Sequence, residues 1–465
     1  MADLSIRFAG IHSPNPFWLA SGPPTNSADQ VMRAFDLGWG GAVWKTVSEQ
    51  IVNVCSRLSA VDYGGQRMMG INNIELTSDR TIEDNLREVA AVKKAYPRHA
   101  LLVSLMVESK RQAWHDIVRR AEDTGCDGLE LNFGCPHGMV ERGMGAAVGQ
   151  VPEYTRQIVE WVKEVARTPI VAKLTPNVTD VRFPGRAAVE GGADGLSLIN
   201  SVASVTGIDL DDFTPRPKVD GRSSHGGYCG PAVKPIALYM VSRIAGDPGC
   251  KVPVSGIGGI CAWQDAAEFI ALGCTSVQVC TAAMHYGFRI VEDMIDGLSR
   301  WMDERGFKRL EDFRGRSLAR LTDWGNLDLN YKIVARIDPQ TCIGCQLCYV
   351  ACHDTAHQCI YVGAAASGAA AASSASGAAT GHVPAFVPAP FAVRGSPIRS
   401  LASGHGLLGA EERSARVPWV KEDDCVGCNL CMLVCPVPDC IKMVEVETGK
   451  PPMSWNQRQR QARQP

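Results

Sequence analysis

The sequence has 465 residues, of which 45% are hydrophobic and 21% are charged, and its formal net charge is −2. A chain of this length can bury a large core, and its near-neutral charge gives no bias toward nucleic acid or an anionic membrane surface. No apolar stretch approaches the roughly eighteen residues of a membrane span, and the N-terminus has no basic region followed by an apolar core. We therefore predict neither a membrane segment nor a signal peptide.

The first part of the chain alternates short apolar runs with longer amphipathic segments, which is the pattern of strand and helix units around a parallel sheet. We count eight apolar runs, at residues 17–20, 42–45, 101–105, 128–132, 170–173, 195–199, 252–256 and 276–280. Eight units over about 300 residues match the size of a TIM barrel, whose active site lies at the carboxyl ends of the strands. A doubly wound open sheet is the competing arrangement.

Polar residues and glycines stand where the predicted strands end, namely Lys45, Thr46, Asn132, Lys173, Asn200, Ser201, Gly256, Gly258, Gly259, Cys280 and Thr281. The ends of the seventh and eighth strands commonly bind phosphate in such barrels. The glycines there would let backbone N–H groups approach an anion, and Thr281 would add a hydroxyl. An ordinary tight turn is the other interpretation of these glycines.

Two cysteine motifs follow, at residues 342–352 and 425–435, and each has the spacing C-x2-C-x2-C-x3-C. This spacing is typical of two [4Fe-4S] clusters, where each motif supplies three thiolates to one cluster and the fourth to the other. The predicted ligand sets are Cys342, Cys345, Cys348 and Cys435 for one cluster, and Cys425, Cys428, Cys431 and Cys352 for the other. A zinc ribbon or a disulfide is the alternative for each motif.

Other residues around the motifs qualify this interpretation. Cys359 and Cys440 fall outside the spacing, and we predict that they are packed thiols rather than ligands. His353 follows Cys352, where the bacterial motif usually has proline, as the second motif does at Pro436.

The cysteines form no framework of a secreted domain, so we expect a reducing, cytoplasmic compartment. A phosphate site in the barrel beside two clusters predicts FMN as the cofactor. No G-x-G-x-x-G follows a strand and opens a helix, so we predict no nicotinamide dinucleotide site.

The domain prediction follows from these patterns. We predict an FMN-binding barrel over residues 1–325 and a ferredoxin-like α+β domain with two clusters over residues 326–465. Residues 363–416 interrupt the second domain with a composition rich in alanine, glycine, serine and proline. Such a composition buries too little apolar surface to offset its ordering entropy, so we predict a disordered insertion. An alanine-rich helix is the alternative.

Four stretches of the sequence resemble dihydropyrimidine dehydrogenases, at residues 73–75 (Asn-Ile-Glu), 131–139 (Leu-Asn-Phe-Gly-Cys-Pro-His-Gly-Met), 172–178 (Ala-Lys-Leu-Thr-Pro-Asn-Val) and 435–441 (Cys-Pro-Val-Pro-Asp-Cys-Ile). More narrowly, the chain resembles the FMN and iron–sulfur subunit of the bacterial NAD-dependent enzymes. The resemblance runs from about Leu4 to Val446 without the insertion. It implies a barrel of the dihydroorotate dehydrogenase type with FMN, a two-cluster domain, and the interconversion of uracil or thymine with the 5,6-dihydropyrimidine.

The resemblance also implies roles for single residues. Cys135 matches the catalytic acid and base of the family. The implied pyrimidine contacts are Asn73, Asn132, Phe133, Gly134, Asn200 and Ser201, and the family usually has threonine at the last of these positions. The implied FMN contacts are Ala20, Ser21, Lys45, Thr46, Lys173, Gly230, Gly258, Gly259, Cys280 and Thr281.

These residue types suit the reaction. Reduction of the C5–C6 double bond of uracil takes a hydride, which reduced flavin delivers, and a proton, which the Cys135 thiol on a glycine-rich loop can supply. Each asparagine amide offers the ring one donor and one acceptor, and Lys45 and Lys173 can stabilise negative charge on the reduced flavin. The alternatives are a small buried thiol and asparagines that cap turns. We interpret His137 as a hydrogen-bonding residue of the loop.

The chain has no dinucleotide fingerprint and no second flavin motif. We therefore predict a separate subunit that carries FAD and NAD(H), in a hetero-oligomer such as a heterotetramer, and the resemblance implies a homodimeric core. Two other functions stay open at this point, a dihydroorotate dehydrogenase and a non-catalytic electron-relay subunit. The fused tandem clusters argue against the first of these.

Overall fold

The structure is a computed structural model that describes residues 2–49, 51–63, 66–354, 356–363 and 416–463. Apart from its two end residues, the predicted insertion at 363–416 lies outside the described residues. The chain divides into two compact units, Met1–Leu321 and Thr322–Pro465.

The first unit is a closed barrel with additional strands. Its described strands are β1 (Ile6–Phe8), β2 (Ile11–Ser13), β3 (Phe17–Leu19), β4 (Gly41–Val47), β5 (Leu58–Tyr63), β6 (Gln66–Asn73), β7 (Ala100–Leu105), β8 (Gly128–Asn132), β9 (Ile170–Lys173), β10 (Gly195–Leu198), β11 (Val202–Ser204), β12 (Gly226–Cys229), β13 (Val254–Ile257) and β14 (Ser276–Val279). In this described part, eight parallel strands close the barrel in the order β3, β4, β7, β8, β9, β10, β13 and β14. Each predicted apolar run overlaps one of them. The barrel prediction is confirmed, and the open doubly wound sheet is wrong.

The barrel strands are buried along their whole length, since side chains fill the interior and helices cover the outside. Continuous burial explains why these strands appear in the sequence as unbroken apolar runs. The few polar residues inside the strands are therefore conspicuous. Glu130, Ser197, Ser255 and Gln278 are all buried within barrel strands, and they form a polar layer below the mouth.

Helices surround the barrel. Those that the structure describes in the first unit are α1 (Ala28–Asp36), α2 (Ile82–Ala95), α3 (Arg111–Glu122), α4 (Ala146–Gly149), α5 (Pro152–Lys163), α6 (Arg182–Glu190), α7 (Lys234–Ala245), α8 (Trp263–Ala271), α9 (Thr281–Tyr286) and α10 (Ile290–Glu304). Helix α1 shows the usual design, because Val31, Ala34 and Phe35 bury one face and the Ser27 hydroxyl accepts a hydrogen bond from the backbone N–H of Gln30. Among the helices described in either unit, none is long and apolar enough to cross a membrane.

A small antiparallel sheet stands at the barrel mouth. It has the strand order β11, β12, β6 and β5, and it is built from the segments that follow β4 and β10. The sheet carries predicted site residues, since β6 ends at Asn73 and β11 begins directly after Ser201. The sequence did not predict this sheet.

The second unit is built from two antiparallel strand pairs and short helices. Strand β15 (Ile333–Ile337) pairs with β18 (Ile441–Glu445), and β16 (Ile360–Val362) pairs with β17 (Pro418–Val420). The described helices are α11 (Leu347–Tyr349), a π-helical turn at Val350–Asp354, α12 (Leu430–Leu433) and α13 (Trp455–Ala462). Each strand pair joins a segment before residue 363 to a segment after residue 416.

Candidate active site

A cavity of about 730 Å³, including its open mouth, lies at the carboxyl ends of the barrel strands. Most of the predicted FMN and pyrimidine contacts line it, namely Ala20, Ser21, Asn73, Lys173, Asn200, Ser201, Gly230, Gly258, Gly259, Cys280 and Thr281. The other predicted residues, Lys45, Thr46, Asn132, Phe133, Gly134 and Cys135, lie outside this lining set. Positions far apart in the sequence are thus brought to one opening by the closure of the barrel.

Glycines shape the part of the cavity after β13. Gly258 and Gly259 have φ angles of +127° and +75°, in the left-handed region that favours glycine. A Cβ atom at Gly258 would lie 2.7 Å from the Cβ of Ala237, and one at Gly259 would lie 2.8 Å from the Cβ of Lys234. The backbone can therefore turn this tightly beside the cavity only with glycine at both positions.

A row of hydrogen bonds links the predicted amide residues. Asn132 donates from Nδ2 to Oγ1 of Thr46 at 3.0 Å, and Asn200 donates from Nδ2 to Oδ1 of Asn132 at 2.9 Å. The backbone N–H of Ser201 donates to Oδ1 of Asn200 at 2.8 Å. Only glycine fits at position 134 between these amides, since a Cβ there would lie 2.4 Å from the Cβ of Asn200. The row fixes the orientation of neutral donors and acceptors across three strand ends.

The ring of Phe133, a predicted pyrimidine contact, lies in the core and not at the cavity. Its ring is 1% exposed and packs edge-to-face against Trp114, with the ring centroids 6.3 Å apart. The ring therefore belongs to the hydrophobic core between strand and helices and does not line the cavity.

Lys173 lies next to the polar layer of the barrel interior, which consists of Glu130, Ser197, Ser255 and Gln278. Its Nζ lies 3.5 Å from Oε1 of Glu130, whose side chain has no solvent exposure. Oε2 of Glu130 accepts a hydrogen bond from Oγ of Ser197 at 2.9 Å, and Nε2 of Gln278 lies 3.5 Å from it. Glu130 is not among the predicted site residues. The feature of the sequence that could have indicated it is a carboxylate within a mostly apolar strand.

The other lysine of the mouth has a carboxylate partner as well. Lys45 forms an ion pair with Glu75, and both side chains are largely buried. Nη1 of Arg57 lies 3.1 Å from the same Oε1 atom of Glu75. Glu75 follows Asn73 closely in one of the family-like stretches, which was the signal that could have identified it.

Cys135 lies in the loop that follows β8, and its side chain is buried. Its Sγ lies 3.6 Å from the carbonyl oxygen of His137, and burial raises the pKa of the thiol to about 11. The thiol packs with Met106, Met139 and Met144. This environment keeps Cys135 protonated at neutral pH.

His137 is held in the same loop. Its Nε2 lies 3.1 Å from the carbonyl oxygen of Glu75, and its Nδ1 is buried without a hydrogen-bond partner among the described residues. Burial lowers the pKa of the imidazole, since the charged form is disfavoured away from water. The ring thus connects the Cys135 loop to the segment that follows β6.

The second unit contains two cavities lined by cysteine. One, of about 320 Å³, is lined by Cys352, Cys425, Cys428 and Cys431, together with Cys359. The other, of about 300 Å³, is lined by Cys342, Cys345, Cys348 and Cys435, together with Cys440. The structure therefore groups the cysteines as the crossed ligation requires, three from one motif and one from the other.

The two motifs have left-handed residues at matching positions. Gly344 and Gly427 have φ angles of +68° and +69°, and Gln346 and Asn429 have φ angles of +61° and +68°. These left-handed residues curl each motif around its cavity. Within the described residues, no three histidine, cysteine or acidic side chains are close enough to hold one metal ion. A cubane cluster needs no such convergence, because each of its irons takes one thiolate.

Comparison with known proteins agrees with this architecture. The family model for dihydroorotate dehydrogenase matches residues 3–302, and the model for a 4Fe-4S dicluster domain matches residues 405–443, which include the second cysteine motif.

Three relatives illustrate the range of the similarity. The NAD-dependent dihydropyrimidine dehydrogenase subunit PreA of Escherichia coli K12 is 41% identical over 358 residues, which are 77% of this chain and 87% of the relative. The chloroplastic dihydropyrimidine dehydrogenase (NADP(+)) of Arabidopsis thaliana is 42% identical over 332 residues, which are 69% of this chain and 78% of the relative. The catalytic subunit of dihydroorotate dehydrogenase B (NAD(+)) of Pyrococcus abyssi is 35% identical over 319 residues, which are 68% of this chain and 99% of the relative.

The closed barrel with its polar mouth and the cysteine-lined second unit define an oxidoreductase that joins a dihydroorotate dehydrogenase barrel to a 4Fe-4S domain. Over most of its length it shares about two residues in five with dihydropyrimidine dehydrogenases of a bacterium and a plant. The chain belongs to the dihydropyrimidine dehydrogenase family, as the resemblance of its motifs predicted.

Proposed function

We propose that this chain is the pyrimidine-converting subunit of an NAD-dependent dihydropyrimidine dehydrogenase. It interconverts uracil or thymine with the 5,6-dihydro compound, and it uses FMN in the barrel mouth and two [4Fe-4S] clusters in the second unit. The observation that carries the proposal is the hydrogen-bonded row of Thr46, Asn132, Asn200 and Ser201, whose last two members line one cavity together with Lys173.

The residues of the cavity fit a flavin. The cavity lies at the carboxyl ends of the barrel strands, where such barrels bind their ligands. Gln278 lines it with a buried Oε1 atom that has no hydrogen-bond partner among the described residues, which suits an N–H group of a ring system. Gly258 and Gly259 provide a side-chain-free turn for a phosphate at the other end. When bound, FMN supplies the hydride for C6 of the pyrimidine ring.

The chain's own residues orient the substrate and supply its proton. The amides of Asn132 and Asn200 are held in place, so each presents its second N–H as a fixed donor to a neutral heterocycle. Cys135 keeps its proton at neutral pH because burial raises its pKa to about 11, and the thiol can give that proton to C5. The loop of Cys135 closes the site against water when it covers the bound ring.

The cysteine cavities support the electron-transfer part of the proposal. Cys342, Cys345, Cys348 and Cys435 would hold one cluster, and Cys425, Cys428, Cys431 and Cys352 the other. Such clusters pass electrons singly between donors and acceptors that exchange pairs. The E. coli relative is named as a subunit of an NAD-dependent enzyme, which supports a partner chain. In this proposal the partner chain binds FAD and NAD(H).

Anaerobic half-reactions of the purified chain test the pyrimidine assignment. The protein is reduced with dithionite, and uracil, thymine or orotate is added while the flavin and cluster absorbance is followed. We expect uracil and thymine to reoxidise the protein and orotate to leave it reduced. Reoxidation by orotate alone would contradict the proposal and favour a dihydroorotate dehydrogenase, which the 35% identity to the Pyrococcus subunit makes the second candidate.

A second assay tests the partner subunit. The chain alone is given dihydrouracil with either NAD or an artificial dye as the acceptor. We expect turnover with the dye and none with NAD. Robust turnover with NAD would contradict the need for a separate FAD and NAD(H) subunit while leaving the pyrimidine chemistry intact.

A further inference from the structure

Cys359 is a fifth thiol in the cavity of Cys352, Cys425, Cys428 and Cys431. It is 4% exposed, and it lies outside the motif spacing. Its position is fixed by the sheet, because it directly precedes β16 and its carbonyl accepts a hydrogen bond from the backbone N–H of Lys421 at 2.8 Å. The side chain is therefore held at the cavity wall rather than placed there by a free loop.

Two contacts join Cys359 to Cys352. The two Sγ atoms lie 3.5 Å apart, and the backbone N–H of Cys359 lies 3.4 Å from the same Sγ of Cys352. A cysteine that binds iron does so as a thiolate and has no proton to donate. The only sulfur-bound proton available between these two atoms is then the one on Cys359.

We propose that Cys359 is a positioning residue that donates its S–H to the Cys352 thiolate and thereby raises the reduction potential of the cluster held by Cys352, Cys425, Cys428 and Cys431. The inference rests on the proposed function, in which these four cysteines bind a cluster. Hydrogen bonds to a ligating sulfur stabilise the more negative, reduced cluster, because they spread its charge onto the donor. Removing the donor lowers the potential.

The other cavity also has a fifth thiol, with a different set of partners. Its fifth thiol, Cys440, points its Sγ at the carbonyl oxygen of Asp338 at 3.9 Å. Cys440 also hydrogen-bonds the side chains of Thr341, Cys435 and Cys342. Because Cys440 belongs to the other cavity, Cys440→Ala removes a buried fifth thiol without changing the cavity of Cys359 and provides a matched control.

Redox titration of the holoprotein tests the proposal. The wild type, Cys359→Ala, Cys359→Ser and Cys440→Ala are purified anaerobically, and their iron and sulfide contents are measured. EPR-monitored titrations then give the midpoint potentials of the two clusters. We expect Cys359→Ala to retain both clusters with one midpoint shifted to lower potential. Cys359→Ser keeps a hydroxyl donor, so its shift should be smaller. Cys440→Ala should leave that same midpoint unchanged.

The outcomes separate this inference from the proposed function. Unchanged midpoints in Cys359→Ala, or an equal shift in Cys440→Ala, would overturn the role of Cys359. Loss of one cluster's iron from both Cys359 variants would also overturn it, because Cys359 would then be a ligand. If the wild-type protein contains two clusters that exchange electrons with the flavin, the proposed function stands in each of these cases. A wild type without iron and sulfide would overturn the proposed function itself.

Discussion

The ammonium group of Lys173 lies 3.5 Å from a carboxylate oxygen of Glu130, inside a barrel where Glu130 has no contact with solvent. The pair connects the cavity mouth to the polar layer of the interior. Buried ion pairs contribute little on balance, but the loss of one partner leaves an uncompensated charge in a poorly solvated place.

The first prediction concerns this pair. Glu130→Gln keeps the shape of the side chain and removes its charge, so we expect a loss of about 3–5 kcal/mol in the free energy of unfolding. Urea unfolding followed by tryptophan fluorescence measures it. The control is Glu292→Gln, which removes an exposed partner of Arg289 at 3.0 Å and should cost less than about 1 kcal/mol. Equal losses in the two variants would show that the interior pair has no special role.

The second prediction concerns the proton donor. Cys135→Ala removes the thiol, and we expect the rate of uracil reduction to fall by about 10²- to 10⁴-fold while flavin and cluster contents stay the same. Stopped-flow reoxidation of the reduced protein measures the rate. Cys126→Ala is the matched control, since Cys126 is also buried but lies before β8, at the opposite end of that strand from the loop. Undiminished reduction in Cys135→Ala would assign the proton to another group.

The third prediction concerns the pH dependence of uracil reduction and of dihydrouracil oxidation, which both depend on the Cys135 thiol. Burial raises the pKa of Cys135 to about 11, so its protonated form persists through neutral pH. Uracil reduction needs the proton, and its rate should be flat near neutral pH and fall as the pH rises through that pKa. Dihydrouracil oxidation needs the thiolate, and its rate should rise about tenfold per pH unit below the pKa. Pre-steady-state rates in both directions test the opposite slopes, and parallel profiles would contradict the assignment.

The hydroxyl next to the amide row gives the fourth prediction. Ser201→Ala removes one hydrogen-bonding group at the cavity, so we expect the KM for uracil to rise by about 2- to 10-fold. Ser201→Thr keeps a hydroxyl, as the family usually has there, and should stay close to the wild type. Steady-state kinetics of uracil reduction, with a reduced artificial dye as the electron donor, give the KM of each protein. A similar KM in all three proteins would exclude a substrate contact at this position.

The fifth prediction concerns the glycine turn after β13. Gly258→Ala forces a side chain into a φ of +127° and within 2.7 Å of Ala237, so the turn must shift. We expect FMN to bind about 5- to 150-fold more weakly, which corresponds to about 1–3 kcal/mol of strain. Flavin fluorescence titration of the apoprotein measures the affinity. Gly207→Ala is the control, because a Cβ there meets nothing within 4 Å. Equal FMN affinities in the two variants would show that this turn does not contribute to FMN binding.

The barrel could be predicted because its signal is local. Strands buried on both faces appear as continuous apolar runs, and the residues that follow each run mark the carboxyl end. Lys173, Asn200 and Gly258 were found in this way, and the structure brings all three to one cavity.

The features that were missed depend on partners far along the chain. Strand β12 contains two glycines in four residues, and its pairing with β6 joins Tyr228 to Asn72, so neither composition nor spacing indicates the mouth sheet. Glu130 has its cationic partner on the next strand, and only the folded barrel shows that the two side chains meet. Cys359 lies outside the motif spacing, and its place beside Cys352 results from the pairing of β16 with β17.

That pairing has a consequence for the continuity of the second unit. Both of its antiparallel pairs, and both of its cysteine cavities, take one side from before residue 363 and the other from after residue 416. A single peptide-bond break between those positions would sever no described strand and divide neither motif. Neither side alone can complete a strand pair or a set of four motif cysteines, so the second unit depends on both segments being present.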